Sequence, residues 1–228
     1  MTFSAEWEDN YKQNAHMSTW PWSDLVSFVM RYSRPSGPDF RVLELGCGAG
    51  ANIPFFLHLG VAYHAIEGSS SITARVRGNF PVFAETIVTG DFTRQIPFDG
   101  PFDLVMDRAS LTHNTTASIR QCLDLVHERM RPGGSYIGID WFSSRHTDAQ
   151  QGEPDADPYT RRGYTSGPFA NVGRVHFSDK GHLIDLFGKF SLTHLEHKTV
   201  ERKIPEEGYT LAFWNFAAVK RSEGPVHP

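Results

Sequence analysis

From Arg41 to Trp141 the chain switches repeatedly between short apolar runs bounded by turns and longer stretches with one apolar face. Strand-like runs stand at 41–46 (RVLELG), 62–67 (AYHAIE), 85–90 (ETIVTG), 102–107 (FDLVMD) and 135–141 (SYIGIDW). Helix-like runs fill the gaps at about 51–59, 70–78 and 117–130. This alternation admits few folds. Consecutive parallel strands need crossovers, and crossover helices cover both faces of a single sheet. The C-terminal part breaks the pattern. A capped amphipathic helix over Ser178–Phe190 is followed by two strand-like runs, SLTHLEHKTV and TLAFWNFAAVKR, joined by the polar ERKIPEEGY. So short a connection makes a hairpin, and one of its strands must run antiparallel to the rest.

The organisation expected is one domain over 1–228, with two additions. Residues 1–40 form an N-terminal cap containing a helix from Ser23, with Leu25, Val26, Val29 and Met30 on one side, Ser23 as its cap and Asp24 in its first turn. Residues 143–177, inserted after the fifth strand, have no period and are rich in Gly, Pro, Asp and Arg. Loops of that length in a compact domain are functional or disordered, and the aromatic and basic residues here favour a substrate lid.

Bulk properties exclude several classes. With 39% apolar and 21% charged residues the chain is ordinary globular material. A net charge of −4 offers nothing to a phosphate backbone, so nucleic acid is not an expected partner. Two cysteines, Cys47 and Cys122, make no disulfide framework and no metal site. The first seventeen residues lack the apolar core of a signal peptide, and no run is long enough to span a bilayer, so a cytoplasmic location is expected.

The chemistry starts where the first strand opens into Gly46, Gly48 and Gly50. A glycine-rich turn there lets the backbone approach a ligand at the carboxyl ends of the strands, facing the N–H groups of the next helix. GCGAGA also satisfies a dinucleotide fingerprint, so the turn by itself leaves both readings open. Glu44, inside the strand, can meet a cationic amino group. Glu67, ending the second strand, can accept from two ribose hydroxyls, in either reading. Asp91 and Phe92, after the third strand, suit an amino group and an aromatic face. The closing hairpin does not belong to a two-halved dinucleotide fold, and no Tyr-x-x-x-Lys is present.

At these residues the chain resembles the class I S-adenosylmethionine-dependent methyltransferases over roughly 40–220. VLELGCGAG is similar to that family's first motif, AIEGS to its acidic second-strand end, and VTGDF to its adenine-side motif. FDLVMDRASLTH resembles its fourth strand, RPGGSYIGI the turn into the fifth, and FSDKGHLIDLFG the helix before the hairpin. The resemblance implies a Rossmann-like three-layer sandwich: a seven-stranded, mostly parallel sheet of order 3-2-1-4-5-7-6 with strand 7 antiparallel. It implies S-adenosylmethionine as cofactor, S-adenosylhomocysteine as product, and a cofactor site of Glu44, Gly46, Cys47, Gly48, Gly50, Asn52, Glu67, Gly68, Ser69, Asp91, Phe92, Asp107 and Arg108. The lead-in WEDNYKQNAHMSTWPWSDLVSFV resembles that of a bacterial subgroup associated with surface-polysaccharide or other small-molecule modification.

A hydroxyl acceptor needs its proton removed, and histidine is the usual agent. His113, just past the fourth strand, is the candidate, against its reading as an ordinary loop histidine. Candidates for touching the acceptor are Tyr11, Trp20, Trp22, Ser110, His146, Tyr159, Arg161, Arg162, Tyr164 and His176. Trp20 and Trp22 read equally as core aromatics, and Arg161 and Arg162 as a solvated pair. The His194–His197 stretch HLEH does not suggest a metal, since strand residues three apart face opposite sides. Asn114-Thr115-Thr116 is a glycosylation pattern without a secretory context. The expectation is methyl transfer, at oxygen or nitrogen, to a small polar acceptor such as a sugar or sugar-derived metabolite. The alternatives are an NAD(P)-dependent oxidoreductase and a non-catalytic cofactor-binding partner protein. Oligomeric state is not legible.

Overall fold

A computed structural model describes residues 5–221 of the chain. The ends of the predicted 1–228 domain lie outside the described residues. In chain order the elements are α1 (Ala5–Lys12), α2 (Ser23–Tyr32), β1 (Arg41–Leu45), α3 (Ile53–Leu59), β2 (Ala62–Glu67), α4 (Ser70–Asn79), β3 (Ile87–Thr89), β4 (Phe102–Arg108), α5 (Thr116–Arg129) and β5 (Met130–Phe142). Then follow β6 (Glu153–Pro154), β7 (Thr160–Arg162), β8 (Val175–His176), α6 (Lys180–Leu186), β9 (Phe190–Lys203) and β10 (Glu206–Lys220).

The main sheet has the order β3-β2-β1-β4-β5-β10-β9. Counting only its own strands, this is 3-2-1-4-5-7-6. Strands β1 to β5 pair in parallel, and β10 is antiparallel to both β5 and β9. The central strands are apolar on both faces, as parallel strands covered on two sides must be. Alternate residues feed opposite layers. Leu43, Leu45 and Val105 join Ile119, Leu123 and Val126 of α5 and Leu183 of α6 in one core. Val42, Leu104 and Met106 join Leu25 and Val29 of α2, Phe56 of α3 and Val76 of α4 in the other. The result is an α/β three-layer sandwich.

Several local expectations are corrected. Ser23 is the first helical residue of α2 rather than its cap; Trp22 holds the cap position without a side-chain bond. The buried face of α2 is Leu25, Phe28 and Val29, whereas Met30 is exposed. Asp24 accepts from Lys198 Nζ at 2.6 Å and Asn215 Nδ2 at 3.2 Å, so it ties the cap to the hairpin. The C-terminal helix is only Lys180–Leu186, because Asp179 caps it by accepting from His182 N at 2.8 Å. The hairpin strands run on through the stretch read as polar turn, leaving a reversal at Ile204-Pro205.

Residues 143–177 are not a bare loop. β6, β7 and β8 form a small antiparallel sheet. Beside it Phe142, Ala149, Tyr164, Phe169, Val172, Val175 and Phe177 make a third apolar core, with Trp7 and Ala109 packed against its edge. Among the described residues no helix is long and apolar enough to cross a membrane.

Candidate active site

The turn after β1 is built on left-handed backbone. Gly46 has φ 74° and Gly48 φ 50°, a region only glycine enters without strain. Neither has room for a side chain. A Cβ on Gly46 would lie 2.5 Å from Ser110 Cβ, and one on Gly48 would lie 2.9 Å from the Tyr11 hydroxyl. Gly50, φ 84°, has another role: a Cβ there would press on Phe80, Ile53 and Val76 at 3.1–3.3 Å. It lets the turn close against α4 and does not line the cavity. Beyond the turn, at the carboxyl ends of β1, β2 and β4, lies a cavity of about 380 Å³.

On the β1–β3 side the wall includes Glu44, Gly46, Cys47, Gly48, Asn52, Glu67, Gly68, Asp91 and Phe92. Glu67 Oε2 accepts from Gly48 N at 2.8 Å and Oε1 from Ser69 N at 3.0 Å. The acceptor capacity that remains on the carboxylate is available to a ligand. Burial pushes the Glu67 carboxyl up, while the N–H groups of Ser69, Gly48 and Gly68 oppose the rise. Asp91 turns Oδ1 back onto Thr93, at 3.0 Å to its N and 2.6 Å to its Oγ1. Ser69 is fully buried as the α4 cap, accepting from Ile72 N, and sits behind the wall.

Glu44 does not face the cavity with a free carboxylate. Its Oε1 accepts from Asn52 Nδ2 at 2.8 Å and its Oε2 from the Tyr63 hydroxyl at 2.5 Å. Burial raises it to about 7, against the pull of Tyr63 and Asn52; nearby Glu67 and Asp107 add to the rise. The consequence falls on Asn52. With its amide nitrogen held by Glu44, its Oδ1 is left buried and without a partner. An unpaired buried acceptor in a cavity wall calls for a donor from a ligand.

At the end of β4 the expected pair divides. Asp107 is fully buried and away from the cavity wall. Its Oδ1 accepts from the Tyr136 hydroxyl and Trp141 Nε1, both at 2.8 Å. Its Oδ2 accepts from Ser110 N at 3.2 Å and Leu111 N at 3.1 Å. These four donors occupy both oxygens, so Asp107 fixes the turn that carries Ser110. The single Ser110 hydroxyl proton goes to Leu45 O at 2.5 Å, joining that turn to the end of β1. Arg108 does line the cavity. Its Nε donates to Asp140 Oδ2 at 2.8 Å, and its guanidinium lies 3.6 Å over the Trp22 ring.

α1 crosses the mouth. The Glu8 carboxylate accepts from Ser69 Oγ and, at 3.4 Å, from Ser71 N, at the start of α4. Asn10 Nδ2 donates to Asn171 O at 2.9 Å on the opposite wall. Trp7 and Tyr11, four residues apart and so on one helix face, turn inward with ring centroids 5.7 Å apart. Tyr11 stands over Gly48; burial, then Glu67, push its phenol well up. The Trp7 ring meets His113 edge-on at 4.8 Å. His113 Nδ1 donates to Arg174 O at 2.8 Å, which fixes the tautomer and leaves the Nε2 lone pair available. Burial lowers His113 to about 4.

The remaining acceptor-side candidates lie elsewhere. Trp20 is 76% exposed and off the cavity. His146 is enclosed by Phe142, Phe169, Phe177, Tyr209 and Phe213, and Tyr164 donates to Asp148 O within the third core. Tyr159 stacks on His182 at 3.5 Å, while His176 bonds both Thr160 and His182. Arg161 reaches Gln151 O and Gly152 O, and Arg162 pairs with Glu153 across β6 and β7. These residues build the inserted region. Lining residues not foreseen are Trp7, His16, Ser18, Ala49, Ala51, Gly90, Ala109 and Asn114. The first three sit in the lead-in, where the Trp7–Tyr11 spacing was the available signal. Asn114 Nδ2 donates to Ser110 O and Leu111 O. Among the described residues no group of three or more His, Cys, Asp or Glu is placed to hold a metal ion.

Residues 42–134 match a protein-family profile described as a methyltransferase domain. Over 104 residues the chain is 30% identical to an uncharacterized methyltransferase of Synechocystis sp., which covers 45% of this chain and 48% of that protein. The chain thus spans about half the length of that curated relative. A SAM-dependent methyltransferase from Methanosarcina mazei superposes with TM-score 0.68 at 14% identity, covering 90% of this chain and 100% of that one. The glycopeptide N-methyltransferase MtfA, solved with sinefungin, gives TM-score 0.61 at 21% identity, covering 88% and 86%.

Proposed function

We propose that this chain, whose residues 42–134 match a methyltransferase domain and whose fold is shared with SAM-dependent methyltransferases, is a class I methyltransferase that transfers the methyl group of S-adenosylmethionine to a small polar acceptor. The observation that carries the reading is Glu67: a carboxylate on the cavity wall at the end of β2, with both oxygens held in place by backbone N–H groups. That is the arrangement two vicinal ribose hydroxyls require. Asn52 Oδ1, unpaired and buried, fits the ammonium at the amino-acid end of the same molecule. Phe92 and Asp91 border the adenine side.

The cofactor supplies a methyl group on a sulfonium, which needs alignment more than activation. The protein binds, orients and shelters. Gly46 and Gly48 let the backbone close on the ligand. α1 covers it, and Trp7 and Tyr11 exclude water. His113 is neutral at physiological pH, with Nε2 open to receive the proton of a hydroxyl acceptor. Trp7, Trp22, His16 and His113 line the acceptor half, so it favours a flat acceptor over a polyhydroxylated sugar.

Calorimetry with S-adenosylhomocysteine tests the reading. Wild type should bind it, and Glu67→Ala should lose on the order of 1–3 kcal/mol from two hydrogen bonds to a charged group. An unchanged affinity removes the ribose assignment. A melting temperature raised by NAD(H) but not by S-adenosylhomocysteine would replace methyl transfer with redox chemistry.

A further inference from the structure

Among the described residues lining the cavity, Arg108 is the sole Lys or Arg. It is held still. Asp140 takes its Nε at 2.8 Å and the Trp22 ring supports its plane at 3.6 Å. Its two Nη groups make no hydrogen bond among the described residues, so they form a pre-organised planar edge of donors.

The carboxylates of the cavity wall are distributed one-sidedly. Glu44, Glu67 and Asp91 all belong to the β1–β3 side, and each is engaged there. On the β4–β5 side the carboxylates near Arg108 are Asp140, which already pairs with it, and Asp24, which is held by Lys198 and Asn215. A cationic acceptor would therefore meet a guanidinium and find no counter-charge. A neutral one would offer the Nη donors uncharged oxygens at best, which are weaker partners for a cation than a carboxylate. An acceptor with a carboxylate would satisfy both groups at once, in the two-pronged geometry Arg favours. The walls around Arg108 are rings: Trp22 beneath it, with His16, Trp7 and His113 along the same cavity. They admit a flat body. His113, with Nε2 free, sits where a hydroxyl would give up its proton.

We infer that Arg108 is the anion receptor of the acceptor half, and that the acceptor is a small hydroxylated aromatic carboxylate whose carboxylate engages the two Nη groups. This rests on the methyl-transfer reading above and narrows it.

The test is calorimetry on protein saturated with S-adenosylhomocysteine. The probes are hydroxybenzoates and hydroxycinnamates, each compared with its own carboxamide, on wild type, Arg108→Gln and Arg108→Lys. At least one acid should bind wild type about tenfold or more tightly than its amide, the gain expected of hydrogen bonds to a charged group. Arg108→Gln should bring the pair to within about twofold, with S-adenosylhomocysteine bound as before, and Arg108→Lys should recover only part, lacking the planar fork. The inference is overturned if no acid outbinds its amide, or if the preference survives in Arg108→Gln. It is also overturned if Arg108→Gln weakens S-adenosylhomocysteine but not 5′-methylthioadenosine, because Arg108 then holds the carboxylate of the cofactor. Should Arg108→Gln bind neither nucleoside, Arg108→Lys decides: an undiminished preference there overturns the inference. Failure of wild type to bind S-adenosylhomocysteine would instead sink the parent reading.

Discussion

Asn52 shows how a side chain acquires a role from its neighbours. Glu44 fixes its amide nitrogen, so its oxygen is left buried and unpaired on a residue of the cavity wall. Asn52→Ala should weaken S-adenosylhomocysteine by about tenfold, the effect of one hydrogen bond to a charged group, and leave 5′-methylthioadenosine, which has no ammonium, unaffected. Equal losses for both ligands would show that Asn52 serves the fold. His113 gives a pH prediction. Its folded pKa, about 4, lies below its unfolded value, so its contribution to stability is present above the unfolded pKa and lost as pH falls through about 4. Imidazole NMR should show His113 neutral down to about pH 5, and the free enzyme should show no acid limb near the ordinary histidine pKa. His113→Ala should lower turnover steeply while retaining cofactor affinity; unchanged turnover makes the residue structural. The sequence marked Glu44 because it lies inside an apolar strand, Glu67 because it ends one and His113 because it follows one. It could not show that Glu44 would be occupied by Tyr63 and Asn52, nor that Asp107 would be saturated, because those partners come from other elements.

At the scale of elements, the sheet was legible and the two covers were not. Strands β1, β2, β4 and the 135–142 part of β5 are mostly apolar runs whose length defines them before any contact is known, and β3, only Ile87–Thr89, is placed by its position in the alternation. β6, β7 and β8 have two or three residues each, too few for a period. Their core gathers Phe142, Tyr164, Phe169 and Phe177, whose meeting depends on the path of the whole insertion. α1 is equally opaque: eight residues, mostly charged or amide, with a tryptophan and a tyrosine on one face. What those rings cover is decided by glycines and a histidine far along the chain. α1 is held on one side by Glu8, whose pKa is lowered chiefly by the Ser69 hydroxyl, with burial opposing and Ser71 assisting. Glu8→Gln should therefore free the helix at its α4 end and speed release of S-adenosylhomocysteine, read by stopped-flow displacement. An unchanged release rate would mean that α1 does not restrain the ligand.

Across the whole molecule the two halves of the cavity answer to different cores. The β1–β3 side is backed by the sheet and by α3 and α4. The β4–β5 side is backed in part by the inserted region, whose apolar core touches Trp7 and Ala109. Phe169 is buried at the centre of that core, with Phe142 at 4.8 Å and Phe177 at 5.6 Å. Phe169→Ala should cost about 3–5 kcal/mol in urea unfolding, as for other buried aromatic truncations. The affinity for S-adenosylhomocysteine should hardly change, since the cofactor wall lies on the other core. Loss of both together would merge the two halves into one cooperative unit.

An eight-residue helix has almost no standing of its own in water. α1 exists because Glu8 fastens it to one bank and Asn10 to the other, with Tyr11 and Trp7 resting on whatever fills the space between. Linkage makes that support mutual. A guest that gains contacts from the strap must, in equal measure, keep the strap from fraying, so an empty crevice is also one whose cover is less firmly wound.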